Sequence, residues 1–249
     1  MKTNAGSEFM VKSRYSHISV PAQDSGESPQ PPLELPFQQD AELVPLVPHE
    51  EIHVPAMDLR QAIEQRRTLR SYSEVKLTFE ELSYLLWASQ GVKKVSKRPA
   101  TLRTVPSAGA RHAFETYILV NRVEGIQPGL YRYLAIEHAL LPLDLSADIN
   151  PRITSACNGQ SQVAESAATF LWVAVVERMY WRYVERGYRY LHLDAGHVCQ
   201  NLALAAEQIG GGICPMAAFD DEALNGVLGL DGENLFVIYL ASLGKKKAE

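Results

Sequence analysis

Apolar residues recur at helical spacing in three parts of the chain. Asp58 is expected to cap the first of these helices. A capping box, Thr78-Phe79-Glu80-Glu81, predicts the start of the second helix, which is expected to end at Gly91. The third predicted helix covers residues 194–209, where small and larger apolar residues share one face. That face suits close packing against a neighbouring element.

Shorter apolar segments predict four strands. Phe114–Val120 is followed by a turn at residues 125–129 and a second strand at residues 130–133. The apolar run at residues 169–176 is typical of a buried central strand, and residues 235–241 form the last strand. Because strands and helices follow one another without a regular βαβ repeat, the pattern favours an α+β fold.

The N-terminal part of the chain has little periodicity. Residues 1–9 contain Gly-Ser-Glu-Phe and are interpreted as a vector-derived tag. Residues 10–57 are rich in proline, which prevents a long helix, so they are expected to form an extended arm that wraps over the body. Residues 58–249 are the predicted main domain.

Composition narrows the class of protein. The 249 residues are 46% hydrophobic with a net charge of −5, which favours a globular domain and argues against general nucleic-acid binding. No apolar run is long enough to span a membrane, and no signal sequence is recognised. Three cysteines without CxxC spacing indicate buried thiols in a reducing cytoplasm rather than disulfides or a metal site.

Several short motifs carry candidate chemistry, and each has a plain alternative. Arg66, Arg67, Thr68 and Arg70 suit phosphate binding but equally suit an ordinary basic helix end. The small residues 106–110 allow backbone amides to approach a ligand, or form an ordinary loop. Residues 210–212 lack dinucleotide-fingerprint spacing and are interpreted as a helix stop that turns the chain toward residues 215–219.

Four arginines recur at spacings of four, four and three residues, at Arg178, Arg182, Arg186 and Arg189. On a helix they would form one basic stripe. The stripe is either a solvated face or a surface that recognises an anionic or peptidic substrate or a dinucleotide phosphate. No HExxH motif, Cys/His cluster or GxSxG elbow occurs, so neither a metal site nor a hydrolase triad is predicted.

Taken in order, RRTLRSY, PSAGARHAFETY, RGYRY, LDAGHVCQNLALAAEQIG and PMAAF resemble the nitroreductase family of FMN-dependent oxidoreductases, and most of all its SagB-type dehydrogenases. The resemblance runs from about Asp58 to Lys246. It implies a mostly antiparallel central sheet flanked by helices, in an interleaved homodimer with two FMN sites at the interface.

The resemblance also assigns roles. A basic segment and the C-terminal lysines would hold the phosphate, an arginine would stabilise the reduced ring, and a small-residue segment would pack on the cofactor from the other subunit. An amide side chain and backbone N–H groups would contact the ring. The implied cofactor-binding residues are Arg66, Arg67, Thr68, Arg70, Pro106, Ser107, Ala108, Arg111, Gln160, Met216, Ala217, Ala218, Lys245 and Lys246.

The implied reaction passes hydride from NAD(P)H through flavin N5 to a small organic acceptor. One alternative is an azoline dehydrogenase that tailors a ribosomal peptide, and another is a flavin-binding protein without turnover. The azoline-oxidising branch uses a Lys-Tyr pair, and this chain has Arg182-Tyr183 at that place. Since an arginine does not deprotonate, Arg182 is expected to act electrostatically beside Tyr183 on the substrate side.

Overall fold

The computed structural model describes residues 4–248. Its helices are α1 Ala5–Lys12, α2 Ala22–Ser25, α3 Leu59–Gln65, α4 Phe79–Gln90, α5 Ile149–Ala156, α6 Ser161–Ala164, α7 Val176–Tyr183, α8 Gly187–Gln208 and α9 Asp221–Leu228. Its strands are β1 Val44–Pro45, β2 Val92–Val95, β3 Thr101–Arg103, β4 Phe114–Val120, β5 Gly129–Leu134, β6 Ala139–Asp144, β7 Ala168–Val175, β8 Gly211–Met216 and β9 Leu235–Lys245. Short 3-10 turns cover His49–Glu51, Ala108–Ala110 and Val184–Arg186.

A seven-stranded sheet in the order β1-β6-β5-β4-β7-β9-β8 forms the centre, and each described pairing within it is antiparallel. The predicted α+β class with a mostly antiparallel sheet is therefore confirmed. Strand β7 lies between β4 and β9 and is buried along its whole length, which confirms the predicted buried strand inside the sheet. Strands β2 and β3 form a separate hairpin.

Helices cover both faces of the sheet because successive side chains of a strand point to opposite sides. Phe170 and Trp172 of β7 pack in a core with α4 and α8, while Leu171 and Val173 pack with α5 and α9. The capping residues Asp58 and Thr78 begin α3 and α4 as predicted, and α4 ends just before Gly91.

Helix α8 and strand β8 differ from the sequence prediction in ways that affect the candidate site. Helix α8 begins at Gly187, well before the predicted residue 194, because aromatic and charged residues extend its first turns. Its end agrees with the expected stop, but Gly211–Met216 then pairs with β9 as an edge strand rather than forming a loop. Gly210, with φ +67°, makes the left-handed turn between the helix and this strand.

The arm is bound to the body by its main chain at residues 32–36. The Leu35 N–H donates to Glu115 Oε1 (2.9 Å), and Arg132 Nη2 donates to the Leu35 carbonyl (3.0 Å). Arg178 Nε donates to the Pro32 carbonyl (2.8 Å). Glu34 accepts the Ala135 N–H, and burial together with Glu137 and Glu115 raises the pKa of Glu34 to about 8.

Glu115 and Arg178 form a buried ion pair at the centre of these contacts. Arg178 Nη2 lies 2.6 Å from Glu115 Oε1, and the two side chains are 3% and 2% exposed. The pair joins β4 to α7 and holds the arm through Leu35 and Pro32. A charge in such a place is costly unless its partner and its remaining hydrogen bonds are present.

We expect Arg178→Met to lower the free energy of unfolding by about 3–5 kcal/mol, because it leaves the Glu115 carboxylate buried without its partner. The matched control is Arg152→Met, which removes an ion pair to Asp144 that is 41% and 30% exposed and should cost less than about 1 kcal/mol. Urea unfolding of the two variants measures the difference. Equal losses would contradict the assigned role of the buried pair.

Candidate functional site

The basic segment, Arg66 to Arg70, follows directly after α3 and lies along the edge strand β8. Leu69 fixes it there, because its N–H donates to the Ile213 carbonyl (2.8 Å) and its side chain packs against Gly212. Arg66, Arg67, Thr68 and Arg70 are exposed. Within residues 4–248 no hydrogen bond or ion pair engages the three guanidinium groups, so their donors are available to an anion.

The amide cluster, Gln160, Met216, Ala217 and Ala218, lies at the end of the same strand. Gln160 Nε2 donates to the Ala218 carbonyl (2.8 Å) and to the Cys157 carbonyl (3.0 Å). Ala217 and Ala218 are exposed beyond the last residue of β8. The two predicted ring contacts, an amide side chain and this backbone, are therefore neighbours in the fold.

The positive charge of Arg70, in the basic segment, acts on a residue of strand β8. Burial raises the pKa of the Cys214 thiol, and the positive charge of Arg70 acts against that increase. Burial likewise raises the pKa of the Tyr72 hydroxyl, which is hydrogen-bonded to Ser242 (2.7 Å). Arg70 thus stands near the strand that ends in the amide cluster, where its charge can stabilise an anion.

The two C-terminal lysines have partners of their own. Lys245 pairs with Glu81 and also donates to the Ile209 carbonyl (2.6 Å), while Lys246 pairs with the almost fully buried Glu207. From the family resemblance both ammonium groups are expected at a phosphate. Unlike these two lysines, the three arginines of the basic segment have no carboxylate partner within residues 4–248.

The loop cluster comprises residues 106–111 together with Arg182, Tyr183 and Asp194. Asp194, buried on α8, accepts the Ala108 N–H through both carboxylate oxygens (3.3 Å each). Burial raises the pKa of Asp194, whereas hydrogen bonds from Ser107 and Ala108 act in the opposite direction. A carboxylate on the rigid helix therefore fixes the loop that carries Pro106, Ser107 and Ala108.

Gly109 brings this loop against the candidate catalytic pair. It has φ +58°, and a Cβ built on it would stand 2.5 Å from the Tyr183 hydroxyl and 2.7 Å from Arg182 Nε. Only a glycine combines this backbone conformation with so close an approach. Arg111 is mostly buried, and burial followed by the nearby charge of Arg182 lowers its pKa.

Backbone strain is concentrated around Tyr183. Ala110 and His112 have φ of 53° and 43°, and Val184 has φ of 50°. A positive φ is uncommon for any residue with a side chain and is a clear outlier for β-branched valine. Val184 separates α7 from α8, and this break follows directly after Tyr183. Strained backbone of this kind is characteristic of functional sites.

Tyr183 and Arg182 stand side by side. The Tyr183 ring makes an edge contact with Tyr190, with centroids 4.7 Å apart, and Arg182 Cζ lies 5.5 Å from the Tyr183 ring centre. Arg182 Nη1 also donates to Gln23 Oε1 (3.1 Å). A cavity of about 390 Å³ lies beside the pair. A fixed cation next to a phenol can orient and polarise a neutral acceptor.

The structure brings the predicted site residues together in two separate groups. The basic segment and the amide cluster share strand β8, and the loop cluster surrounds Tyr183. No hydrogen bond between the described side chains or backbone groups joins the loop cluster to the other two. Each group alone is half of the site that the sequence predicts. No set of three or more metal-ligating side chains occurs in the described part of the chain.

Some functional contacts were missing from the sequence prediction. Asp194 belongs to the LDAGH motif, but its contact with the loop depends on the packing of α8 and leaves no local signal. The spacing of the arginines was recognised in the sequence, but their partners were not predicted because they are distant in sequence. These partners are Glu115 for Arg178 and residues of the arm for Arg182, Arg186 and Arg189.

Comparison with known proteins finds one family model. The model described as the nitroreductase family matches residues 63–245. A candidate nitroreductase of Methanocaldococcus jannaschii is 33% identical over 181 residues, which cover 72% of this chain and 89% of the relative.

Two processing proteins also match. The trifolitoxin-processing protein TfxB of Rhizobium leguminosarum bv. trifolii is 30% identical over 52% of this chain and 36% of its own length. The microcin B17-processing protein McbC of Escherichia coli is 28% identical over 52% of this chain and 49% of its own length. The matched region thus spans less than half of either protein.

Solved structures show the same fold. A candidate nitroreductase of Anabaena variabilis has a TM-score of 0.65 and 31% identity, covering 76% of this chain and 38% of that one. A chain of the E. coli microcin synthetase McbBCD complex, solved with truncated pro-MccB17, has a TM-score of 0.61 and 19% identity over 97% and 87% of the two chains. A candidate nitroreductase of Exiguobacterium sibiricum in complex with FMN has a TM-score of 0.57 and 14% identity, covering 78% and 90%.

We expect Gly109→Ala to displace Tyr183 and Arg182, because the added methyl group would occupy the space of their side-chain ends. The control is Gly125→Ala, where φ is also positive but nothing lies within 4 Å of the added Cβ. Both variants should lose about 1 kcal/mol of stability from the strained backbone. Only Gly109→Ala should change the near-ultraviolet circular dichroism of the aromatic residues. An unchanged spectrum in that variant would contradict the contact.

Proposed function

Because the chain belongs to the nitroreductase family, we propose that this oxidoreductase binds FMN and transfers electrons from NADH or NADPH to a small organic acceptor. The observation that carries the proposal is the set of three arginines that have no side-chain partner within residues 4–248 and lie near the exposed backbone at the end of β8. The FMN-bound family structures support the choice of cofactor.

The residues of the basic segment and the amide cluster fit FMN. Arg66, Arg67 and Thr68 offer uncommitted donors for the phosphate and ribityl groups, and guanidinium groups bind phosphate bidentately. Arg70 supplies positive charge for the pyrimidine edge, and Gln160, Met216, Ala217 and Ala218 offer amide and backbone contacts. When bound, FMN would supply two-electron redox chemistry at N5. Lys245 and Lys246 would join the phosphate only by leaving their carboxylate partners.

The second half of the site comes from a second copy of the chain in our proposal. Pro106, Ser107, Ala108 and Arg111 would then meet the basic segment of the other subunit. Exposed apolar side chains support a homodimer, since Leu59, Ile63 and Leu193 on α3 and α8 are 63%, 56% and 59% exposed. A cavity of about 410 Å³ between α3, α4 and α8 continues this apolar surface.

Tyr183 and Arg182 are the proposed catalytic pair. Both face a cavity of small-molecule size, and Gly109 connects them to the loop that would pack on the cofactor. In this proposal Tyr183 hydrogen-bonds the acceptor and Arg182 stabilises negative charge that develops on it. Three free, buried cysteines agree with a reducing cytoplasm as the place of action.

A second candidate function is oxidation of a modified peptide. It is favoured by the matches to TfxB and McbC and by the likeness to a chain of the McbBCD complex. Those proteins are longer than the matched region or act in an assembly, so their substrates come to this chain only as a proposal. Arg182 in place of the lysine of that branch excludes a proton-accepting role at this position.

We expect the purified protein to absorb at the flavin maxima, with the heat-released chromophore identified as FMN by chromatography. Under anaerobic conditions NADPH or NADH should bleach these bands, because the proposed function makes a nicotinamide the electron donor. Sedimentation equilibrium followed at a flavin band should give twice the chain mass of 27.7 kDa.

Three outcomes would contradict parts of this proposal. A colourless protein that cannot be reconstituted with FMN would exclude the cofactor. Bands that dithionite bleaches but neither nucleotide does would favour peptide oxidation or a binding protein without turnover. A flavin-bound monomer would exclude the shared site.

We expect Tyr183→Phe and Arg182→Ala each to lower turnover of a small quinone about five- to tenfold, because each removes one hydrogen bond or charge contact to the acceptor. The controls are Tyr180→Phe and Arg152→Ala, which alter exposed residues outside the cavity. FMN content should stay equal in the four variants. Unchanged turnover in both site variants would contradict the catalytic roles assigned to Tyr183 and Arg182.

A further inference from the structure

The basic stripe along α7 and α8 faces the N-terminal segment rather than solvent. We call residues 13–28 the strap. Arg178 of the predicted stripe is buried against Glu115, so the stripe that faces the strap consists of Arg182, Arg186 and Arg189 together with Trp181. Arg186 Nη1 donates to the Ser13 carbonyl (3.1 Å), and Trp181 Nε1 donates to the Ser28 carbonyl (3.0 Å). The strap therefore crosses the stripe from one end to the other.

Most of what the stripe binds is main chain or small polar groups. Besides the two carbonyls, Arg189 Nε donates to Ser13 Oγ (2.7 Å) and Arg182 Nη1 to Gln23 Oε1 (3.1 Å). Carbonyl oxygens are present in every peptide, so donors aimed at them bind polypeptide main chain with little regard to sequence. The stripe thus has the chemistry of a surface that binds polypeptide main chain.

The strap is held far less firmly than the rest of the arm. Residues 32–36 are bound to the buried pair Glu115–Arg178, but most strap side chains are exposed, with Tyr15 at 66% and Val20 at 69%. Ser13 is buried, whereas Tyr15 is held by Arg186, whose Cζ lies 4.1 Å from the Tyr15 ring centre, and by a hydrogen bond with the Tyr190 hydroxyl (3.0 Å). A segment with few buried apolar contacts opens at low cost.

The strap also closes the space beside the candidate catalytic pair. The cavity of about 390 Å³ has Arg182 and Tyr183 on one side and Tyr15, Ile18, Pro21 and Gln23 of the strap on the other. A small acceptor fits this volume. A larger one reaches Tyr183 only after the strap has left.

We propose that the stripe is a docking surface for polypeptide main chain and that the strap occupies it in cis, as a displaceable cover over Tyr183. The occupant that replaces the strap is a peptide main chain, which the same arginine and tryptophan donors bind through its carbonyls. The role of this exchange in substrate entry rests on the proposed function, while the binding surface itself does not.

The test uses the full chain and a fluorescein-labelled synthetic peptide with the sequence of residues 10–28, followed by fluorescence anisotropy. The strap variant Ser13→Ala/Tyr15→Ala/Gln23→Ala removes the side-chain contacts of the strap. The control Arg14→Ala/His17→Ala/Glu27→Ala changes exposed residues of the same segment. A third protein adds Arg186→Ala and Arg189→Ala to the strap variant.

We expect the strap variant to bind the peptide about tenfold more tightly than the wild type, as for a cover closed about nine-tenths of the time. The control should bind like the wild type, and loss of the two arginines should abolish the gain. Equal binding by the strap variant and the wild type, or a gain that survives without the arginines, would overturn the proposal.

Absorbance spectra of the same samples separate this proposal from the proposed function. Peptide binding by a protein without FMN would support the docking surface and remove the flavin assignment. A flavin-bound strap variant with no gain in peptide affinity would overturn the docking surface and leave the oxidoreductase intact.

Discussion

The buried ion pair between Glu115 and Arg178 is the interaction on which the arrangement of the site depends. It fixes α7, the helix that carries Arg182 and Tyr183, to the central sheet. A buried pair is stable only when its further hydrogen-bonding groups are satisfied, and the arm supplies part of that through Leu35 and Pro32. The arm is thus part of the support of the candidate catalytic residues.

The sequence was sufficient for the elements whose signals are local. Neighbouring residues were enough to predict the helix caps at Asp58 and Thr78. The same holds for strand Phe114–Val120 and for β7, which is buried on both faces. Strand β8 was not foreseen, because a glycine-rich segment has low strand propensity and forms its strand only through pairing with β9. The early start of α8 was hidden by its polar first turns, which pack against α7 and the arm.

The candidate site shows the same division. The basic segment and the small-residue loop were predicted from composition and order of motifs, and both contain exposed residues. Contacts between residues far apart in sequence could not be predicted. They include the hydrogen bonds of Asp194 with Ala108 and of the arm with the arginine stripe. The left-handed backbone at Gly109 and the strain at Val184 also cannot be recognised in a sequence, since both are set by packing around Tyr183.

The separation of the arm from its partners has a consequence for synthesis on the ribosome. Pro32 precedes Arg178 by 146 positions, so this segment leaves the ribosome well before its partner on α7. At about 5–20 residues per second, this interval lasts roughly 7–30 seconds. During that time the proline-rich composition keeps the arm from forming a competing helix. The prolines therefore keep residues 29–48 from becoming helical until α7 has been synthesised.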